Sequence, residues 1–129
     1  MTSGTGTWVP KTELTLAAIR RYAALMASAD RDDIGTVMTA GDRVNDAGLM
    51  RLPADAWQLA EALDDAEIDC LIRFFTLAEM QLDGWKGGKQ SPVIPLVRIL
   101  KQRGKFSDTL RKWIKTHTDN RFLPYGSAL

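Results

Sequence analysis

The sequence predicts an all-α protein, a single small orthogonal bundle of five to six short helices. Apolar residues recur at helical spacing nearly throughout, and no segment alternates strictly between apolar and polar residues as a half-buried strand does. The length of 129 residues suits one domain. The scaling of surface area with mass predicts that folding buries roughly two-thirds of the surface of the unfolded chain. The composition, 45% hydrophobic and 26% charged, is that of a globular protein. We therefore treat residues 1–129 as one helical domain whose short helices cross at steep angles.

The first helix is predicted over residues 12–29, after a start at residues 1–7 that we expect to be disordered. Thr12 suits the N-cap, and Trp8 ahead of it is placed to pack as an apolar staple. The predicted inward face consists of residues within a sector about 80° wide. These residues are Leu14, Ala18, Tyr22, Leu25 and Ala29.

Two further helices precede the centre of the chain. The first covers residues 33–48 and is weakened by two glycines, each by roughly 1 kcal/mol. Its predicted inward residues are Ile34, Val37, Met38, Gly41, Val44 and Gly48. The second is short. We expect it to begin at Pro53, because proline suits the first helical position, and to end near Leu63. Trp57 and Ala60 are expected to face inward.

The most apolar helix is predicted over residues 65–82. Asp64 and Glu67 have the spacing of a capping box. Apolar residues cover well over half of the helix circumference, so we expect this helix to lie at the centre with neighbours on several sides. We assign its solvent-facing strip to Asp69, Arg73, Thr76 and Glu79, in which Asp69 and Arg73 form a favourable i,i+4 pair.

Two helices follow a loop at residues 84–90 that is rich in glycine and lysine and is expected to be flexible. Ser91, followed by proline, starts a helix that ends at Gly104. Its predicted apolar face is Val93, Leu96, Val97 and Leu100. Ser107 caps a last helix to about Thr118. Its predicted apolar side is Leu110, Trp113, Ile114 and His117.

Charge is divided unevenly along the chain. Residues 1–84 contain 7 Lys/Arg and 14 Asp/Glu, whereas residues 85–129 contain 10 Lys/Arg and 2 Asp/Glu. Such asymmetry favours an acidic or polyanionic partner. The simpler interpretation, that the halves neutralise each other within one fold or across a dimer, stays open. The apolar tail at residues 121–129 is expected to dock in cis, or in trans on a second copy, which would give a homo-oligomer.

No motif predicts catalysis. Cys70 is the one cysteine and His117 the one histidine, so zinc sites built on cysteine pairs are excluded and nothing supports a catalytic dyad beyond the presence of the two residues. The loop at 84–91 is one residue short of a phosphate-binding loop and follows a helix rather than a strand. Residues 30–41 lack the final glutamate of a calcium loop. We expect no enzymatic activity, no cofactor and no metal ion.

A cytoplasmic location without a membrane segment is expected. The first seven residues lack the basic and apolar regions of a secretory signal, and apolar stretches fall far short of the ~20 residues that span a bilayer.

Two functions fit these features. The first is a small cytoplasmic helical protein–protein interaction module with a regulatory or scaffolding role, whose partner has an acidic surface. The alternative is a nucleic-acid-binding helical protein that uses its basic C-terminal half, where cations bind phosphates and aromatic rings stack on bases. An enzyme with a pocket of convergent polar groups ranks third. The predicted partner-binding residues are Lys86, Lys89, Arg98, Lys101, Arg111, Lys112, Lys115, Phe122 and Tyr125.

Overall fold

The computed structural model describes residues 14–28, 34, 38, 41, 47–82 and 84–120. Within this part of the chain there is no strand, and the predicted all-α class is confirmed. The α-helices with bounds in this part are α1 (Leu16–Ser28), α2 (Asp65–Gln81), α3 (Val93–Gln102) and α4 (Asp108–His117). The 3₁₀ helices are Ala47–Arg51, Ala54–Ala62 and Gly88–Gln90.

Helix α2 is the centre of the bundle, as predicted, and contacts α1, α3 and α4. It begins with the predicted capping box: the Asp64 carboxylate accepts from the Glu67 N–H at 2.7 Å, and the Glu67 carboxylate accepts from the Asp64 N–H at 3.2 Å. Because these two bonds satisfy backbone donors at the helix end, the start of α2 is fixed locally. Its buried apolar residues are Ile68, Leu71, Ile72, Phe74, Phe75, Leu77 and Ala78.

The predicted solvent-facing strip of α2 is correct only in its first half. Asp69 and Arg73 form the predicted pair, with Nε and Oδ1 separated by 2.6 Å. Thr76 and Glu79 are buried, so their assignment to solvent was wrong. The Thr76 hydroxyl donates to the Ile72 carbonyl at 2.7 Å and therefore needs no water. Glu79 is covered by the segment that leads into α3.

Helix α1 begins later than predicted. Its first residue is Leu16, and the Thr15 hydroxyl accepts from the Ala18 N–H at 3.1 Å, which is the bond of an N-cap. The predicted cap Thr12 and the staple residue Trp8 lie outside the described residues.

The buried face of α1 differs from the predicted face. Counted at 100° of rotation per residue, the centres of the two faces lie about 90° apart around the helix axis. Tyr22 belongs to both faces, whereas Leu14, Ala18 and Leu25 are only half-buried. The cause is α2: the Tyr22 ring lies 5.0 Å from the Phe74 ring and 6.0 Å from the Phe75 ring, so α2 covers the side of α1 centred on Ile19. The buried residues are Ile19, Tyr22, Ala23 and Met26.

The second predicted helix lies mostly outside the described residues. Ile34 and Met38 are buried as predicted. Gly41 is helical but exposed, so its inward assignment was wrong. Gly48 belongs to a 3₁₀ helix, Ala47–Arg51, rather than to the end of an α-helix.

The short helix predicted from Pro53 to about Leu63 is a 3₁₀ helix over Ala54–Ala62, which we call the long 3₁₀ helix. Pro53 is its N-cap rather than its first residue. A 3₁₀ helix has three residues per turn, so residues three apart share a side. Trp57, Ala60 and Leu63 are buried at this spacing. The inward assignment of Trp57 and Ala60 is confirmed.

The predicted end of α3 is confirmed. Gly104 has a φ of +70°, its N–H donates to the Lys101 carbonyl at 3.0 Å, and the Lys105 N–H donates to the Leu100 carbonyl at 2.8 Å. These two bonds form a Schellman motif, which favours glycine at this position.

A serine hydroxyl lies at the start of both α3 and α4. Ser107 is the predicted N-cap of α4, whereas the N-cap of α3 is Pro92, one residue after the predicted Ser91. The Ser91 hydroxyl accepts from the Val93 N–H at 3.3 Å, and the Ser107 hydroxyl accepts from the Leu110 N–H at 3.1 Å. The predicted apolar face of α3 is buried throughout, together with Ile99. On α4, Leu110 and Ile114 are buried, whereas Trp113 and His117 are half-buried.

Some predictions fall on residues that the structure does not describe. These are the disorder of residues 1–7 and the docking of the tail at 121–129, which includes Phe122 and Tyr125. Across the described ranges, no helix is both long enough and apolar enough to cross a membrane.

Candidate functional site

Seven of the nine described Lys and Arg residues after Gly84 form no ion pair with any other described residue. We call them the unpaired cations. Six of them are exposed, and the seventh, Lys101, is half-buried. The unpaired cations are Lys86, Lys89, Arg98, Lys101, Lys105, Lys112 and Lys115.

The two cations that do form ion pairs are Arg103 and Arg111. The Arg103 guanidinium lies 2.9 Å from the Asp65 carboxylate. Arg103 is the one described cation of the basic half, residues 85–129, that forms an ion pair with the acidic half, residues 1–84. Arg111, a predicted partner-binding residue, pairs within α4 with Asp108 at 3.2 Å and is half-buried. Direct pairing inside one fold, which the sequence left open, therefore neutralises little of the described basic half.

The described aromatic residues of the basic half are engaged within the protein. Trp85 is fully buried, with its ring 6.3 Å from the Phe74 ring. The Trp113 ring is stacked on His117 at 4.2 Å, and the Arg73 guanidinium carbon lies 4.9 Å from its centre. Phe106 packs against the core. These rings are not free platforms on which a base can stack.

A buried carboxylate ties three parts of the chain together. Glu79 Oε1 accepts from the Gly87 N–H and the Asn120 side-chain amide, both at 3.0 Å, and Oε2 accepts from the Ser91 hydroxyl at 2.7 Å. We call this arrangement the Glu79 clasp. Burial raises the pKa of Glu79, and the hydrogen bonds oppose that shift without cancelling it. The clasp holds the loop and the chain after α4 against α2. Flexibility of the loop stays a prediction.

The long 3₁₀ helix and α3 are separated by a groove with a volume of about 270 Å³. On the 3₁₀ side, its wall carries Asp55, Gln58 and Glu61. These residues are three apart, so the 3₁₀ conformation aligns their side chains in one row. On the α3 side, the wall carries Arg98 and Gln102. The groove thus has carboxylates on one wall and a guanidinium on the other.

A smaller depression of about 150 Å³ adjoins this groove, because Ala54 and Pro95 line both. It adds Lys89, another of the unpaired cations. The structure therefore places two predicted site residues, Lys89 and Arg98, along one side of the long 3₁₀ helix.

Trp57 lines the groove and is 1% exposed. Its indole nitrogen has no hydrogen-bond partner, and no other buried side-chain nitrogen or oxygen in the described ranges lacks one. Leaving a buried donor unpaired costs about 1–3 kcal/mol. Trp57 was predicted as a core residue, and the groove was not predicted from the sequence. The one sequence signal for it is the three-residue spacing of polar side chains directly after Pro53.

Two residues, Cys70 and His117, were considered for nucleophilic chemistry. Burial, and secondarily the charge of Asp69, raises the pKa of the Cys70 thiol, which disfavours the reactive thiolate. The ring nitrogen Nδ1 of His117 lies 2.7 Å from the Trp113 carbonyl oxygen and 2.9 Å from the Thr116 hydroxyl. The described ranges hold no group of three or more His, Cys, Asp or Glu residues arranged to bind a metal ion.

Comparison with known proteins adds no relative: no family model, no curated protein and no solved structure matches this chain.

Proposed function

We propose that this chain is a small cytoplasmic helical module that binds an acidic surface of another protein and regulates or scaffolds that partner. The observation that carries the proposal is the set of unpaired cations, which the acidic half of the same chain leaves without direct partners. Complementary charge on a partner steers encounter and fixes orientation. Two of these cations, Lys112 and Lys115, are exposed on α4.

A protein partner is favoured over a nucleic acid because the described aromatic side chains of the basic half are occupied. Binding to single strands combines a positively charged groove with rings on which bases stack. Here Trp85 is buried and Trp113 stacks on His117. Phosphate contacts by lysine and arginine alone remain the basis of the alternative, nucleic-acid-binding function.

We propose binding rather than catalysis because the two described groups with raised pKa values, Cys70 and Glu79, do not suit a reaction. The raised pKa of the Cys70 thiol disfavours nucleophilic attack, and both oxygens of Glu79 accept hydrogen bonds from the protein itself.

The proposal is tested by affinity capture from native lysate with quantitative mass spectrometry, with and without nuclease. The test variant is Lys112→Gln with Lys115→Gln. Its matched control, Ala17→Glu with Ala24→Glu, lowers the net charge equally at exposed positions of α1. We expect specific protein partners to survive nuclease treatment, to be lost from the lysine variant and to be retained by the control.

Three outcomes would contradict this function. Equal capture by both variants shows that α4 is not the binding surface. Partners that disappear with nuclease, together with salt-sensitive retention on heparin that the lysine variant loses, support nucleic-acid binding instead. A monomer by light scattering that captures nothing is not an interaction module.

A further inference from the structure

The groove between the long 3₁₀ helix and α3 has features of a small-molecule site, although one of its residues, Arg98, is also one of the unpaired cations. Its volume of about 270 Å³ lies just below the range of roughly 300–1,000 Å³ that is typical of small-molecule sites. A surface that binds a folded protein partner covers a much larger area. The groove therefore suits a small ligand better than it suits a folded partner.

Trp57 lines this groove, and its buried indole N–H has no hydrogen-bond partner. Buried polar groups in native proteins are nearly always hydrogen-bonded, and exceptions require an explanation such as a ligand. The indole nitrogen is closed to solvent, so an acceptor in the groove reaches it only when the Trp57 side chain moves.

The charges on the two walls select a ligand that carries both signs. Asp55 and Glu61 lie on the 3₁₀ wall and Arg98 lies on the α3 wall. Their side chains form no ion pair with any described residue. A simple anion approaching Arg98 meets two carboxylates, and a simple cation approaching those carboxylates meets Arg98. A zwitterion satisfies both walls, since a guanidinium binds a carboxylate well.

The remaining surface of the groove is apolar. Trp57, Pro95 and Ile99 line it between the charged walls. Burial of an apolar side chain against them adds affinity at about 25 cal/mol per Å² removed from water.

We propose that this groove binds a free α-amino acid with an apolar side chain. The ligand carboxylate binds Arg98 and supplies the acceptor for the Trp57 N–H. The ligand ammonium binds the row formed by Asp55, Gln58 and Glu61, and its side chain lies on Pro95 and Ile99. The capture experiment changes lysines on α4, whereas the groove lies between the long 3₁₀ helix and α3, so either experiment can fail without the other.

The test is an NMR titration that follows the indole N–H signals of ¹⁵N-tryptophan-labelled protein, with the Trp57 signal assigned by its loss in Trp57→Phe. The ligands are L-leucine and L-phenylalanine, up to about 10 mM, since weak small-ligand binding falls in the millimolar range. Two analogues serve as chemical controls: leucinamide lacks the carboxylate and N-acetyl-leucine lacks the ammonium. We expect the Trp57 signal to shift and saturate with an amino acid, and each analogue to bind roughly tenfold more weakly or worse.

Variants separate recognition of the ligand from loss of folding. Arg98→Gln is expected to weaken leucine binding roughly tenfold, and Lys105→Gln, which removes an exposed charge outside the groove, is expected to leave it unchanged. An unchanged signal from the buried Trp85 shows that each variant is folded. The proposal is overturned if neither amino acid shifts the Trp57 signal, if either analogue binds as tightly as leucine, or if Arg98→Gln binds as tightly as the unaltered protein.

Discussion

Glu79 and Trp57 are both polar and almost fully buried, yet their hydrogen bonding differs. Both oxygens of Glu79 have partners, so its clasp satisfies the carboxylate while joining α2 to the loop and to Asn120. The Trp57 N–H has none. A satisfied buried network makes a structure specific, whereas an orphaned donor costs free energy. At the residue scale, Glu79 therefore has a structural role, and Trp57 is the candidate for ligand recognition.

The Glu79 clasp leads to a pH prediction. Because burial raises the pKa of Glu79 above the ordinary value of 4.5, the folded protein holds this proton more tightly than the unfolded chain does. The Glu79 contribution to the free energy of unfolding is thus fully present below pH 4.5 and is lost as pH rises through the folded pKa. Glu79→Gln removes this dependence, so its destabilisation relative to the unaltered protein should shrink as pH rises.

Urea unfolding at pH 4 and pH 7.5 measures this difference. Glu61→Gln, at an exposed carboxylate, is the control and should stay within about 0.5 kcal/mol of the unaltered protein at both pH values. A Glu79→Gln cost that grows with pH would show that the folded state favours the ionised carboxylate.

At the scale of elements, the long 3₁₀ helix is the unusual piece, because 3₁₀ runs beyond three or four residues are uncommon. Its conformation places Trp57, Ala60 and Leu63 on the core and the row from Asp55 to Glu61 on the groove. Arg103 holds its end: the guanidinium donates to the Leu63 carbonyl at 3.0 Å and to the Glu61 carbonyl at 2.9 Å, in addition to its pair with Asp65.

Replacement of Arg103 tests this connection. Arg103→Lys keeps the charge but loses the planar fork that reaches three acceptors, so we expect a loss of about 1–2 kcal/mol in the free energy of unfolding. Lys105→Ala, two residues later and exposed, should change it by less than about 0.5 kcal/mol. Denaturant unfolding measures both, and equal stability of the two variants would contradict a bridging role for Arg103.

Alanine substitutions at two glycines distinguish the free-energy cost of steric crowding from the cost of backbone strain. At Gly87 an added Cβ would lie 2.8 Å from the Ser91 Cα and 3.2 Å from the Met50 carbonyl oxygen. Gly87→Ala should therefore displace the loop from Glu79 and cost about 2–4 kcal/mol. At Gly104 nothing lies within 4 Å of such a Cβ. Gly104→Ala should therefore lower the free energy of unfolding only through the strain of a positive φ, by about 1–2 kcal/mol. Thermal unfolding ranks the pair, and a larger cost at Gly104 would contradict the crowding at Gly87.

At the scale of the whole molecule, the three other α-helices with described bounds, α1, α3 and α4, all pack on α2. Backbone amides in such a centre exchange with solvent only when the whole protein unfolds. We predict that hydrogen exchange of the amides of Ile72, Phe74 and Phe75 gives the global free energy of unfolding, and that α4 amides exchange faster through local opening. Exchange of α2 faster than α4 would show that α2 is not the stable centre.

The sequence by itself determined the features that depend on neighbouring residues. The capping box before α2, the serines at the starts of α3 and α4, and the Gly104 end of α3 are each made by groups within a few residues, so local chemistry specifies them. It also predicted Lys89 and Arg98 as partner-binding residues, because an excess of charge is visible in composition, and that role stays a prediction.

The tertiary structure alone decided which side of each element is covered. Helical spacing predicted one inward face for α1, but the face that is buried lies about 90° around the helix axis from it. The buried face is the one on which Tyr22 contacts Phe74 and Phe75 of α2. Glu79 lies on a polar strip of its own helix and is buried because Gly87, Ser91 and Asn120 come to it from more distant parts of the chain. The groove likewise exists only where the long 3₁₀ helix meets α3. The physical reason is the same in each case: burial and hydrogen bonding depend on the neighbouring element, and one element's sequence does not specify what packs against it.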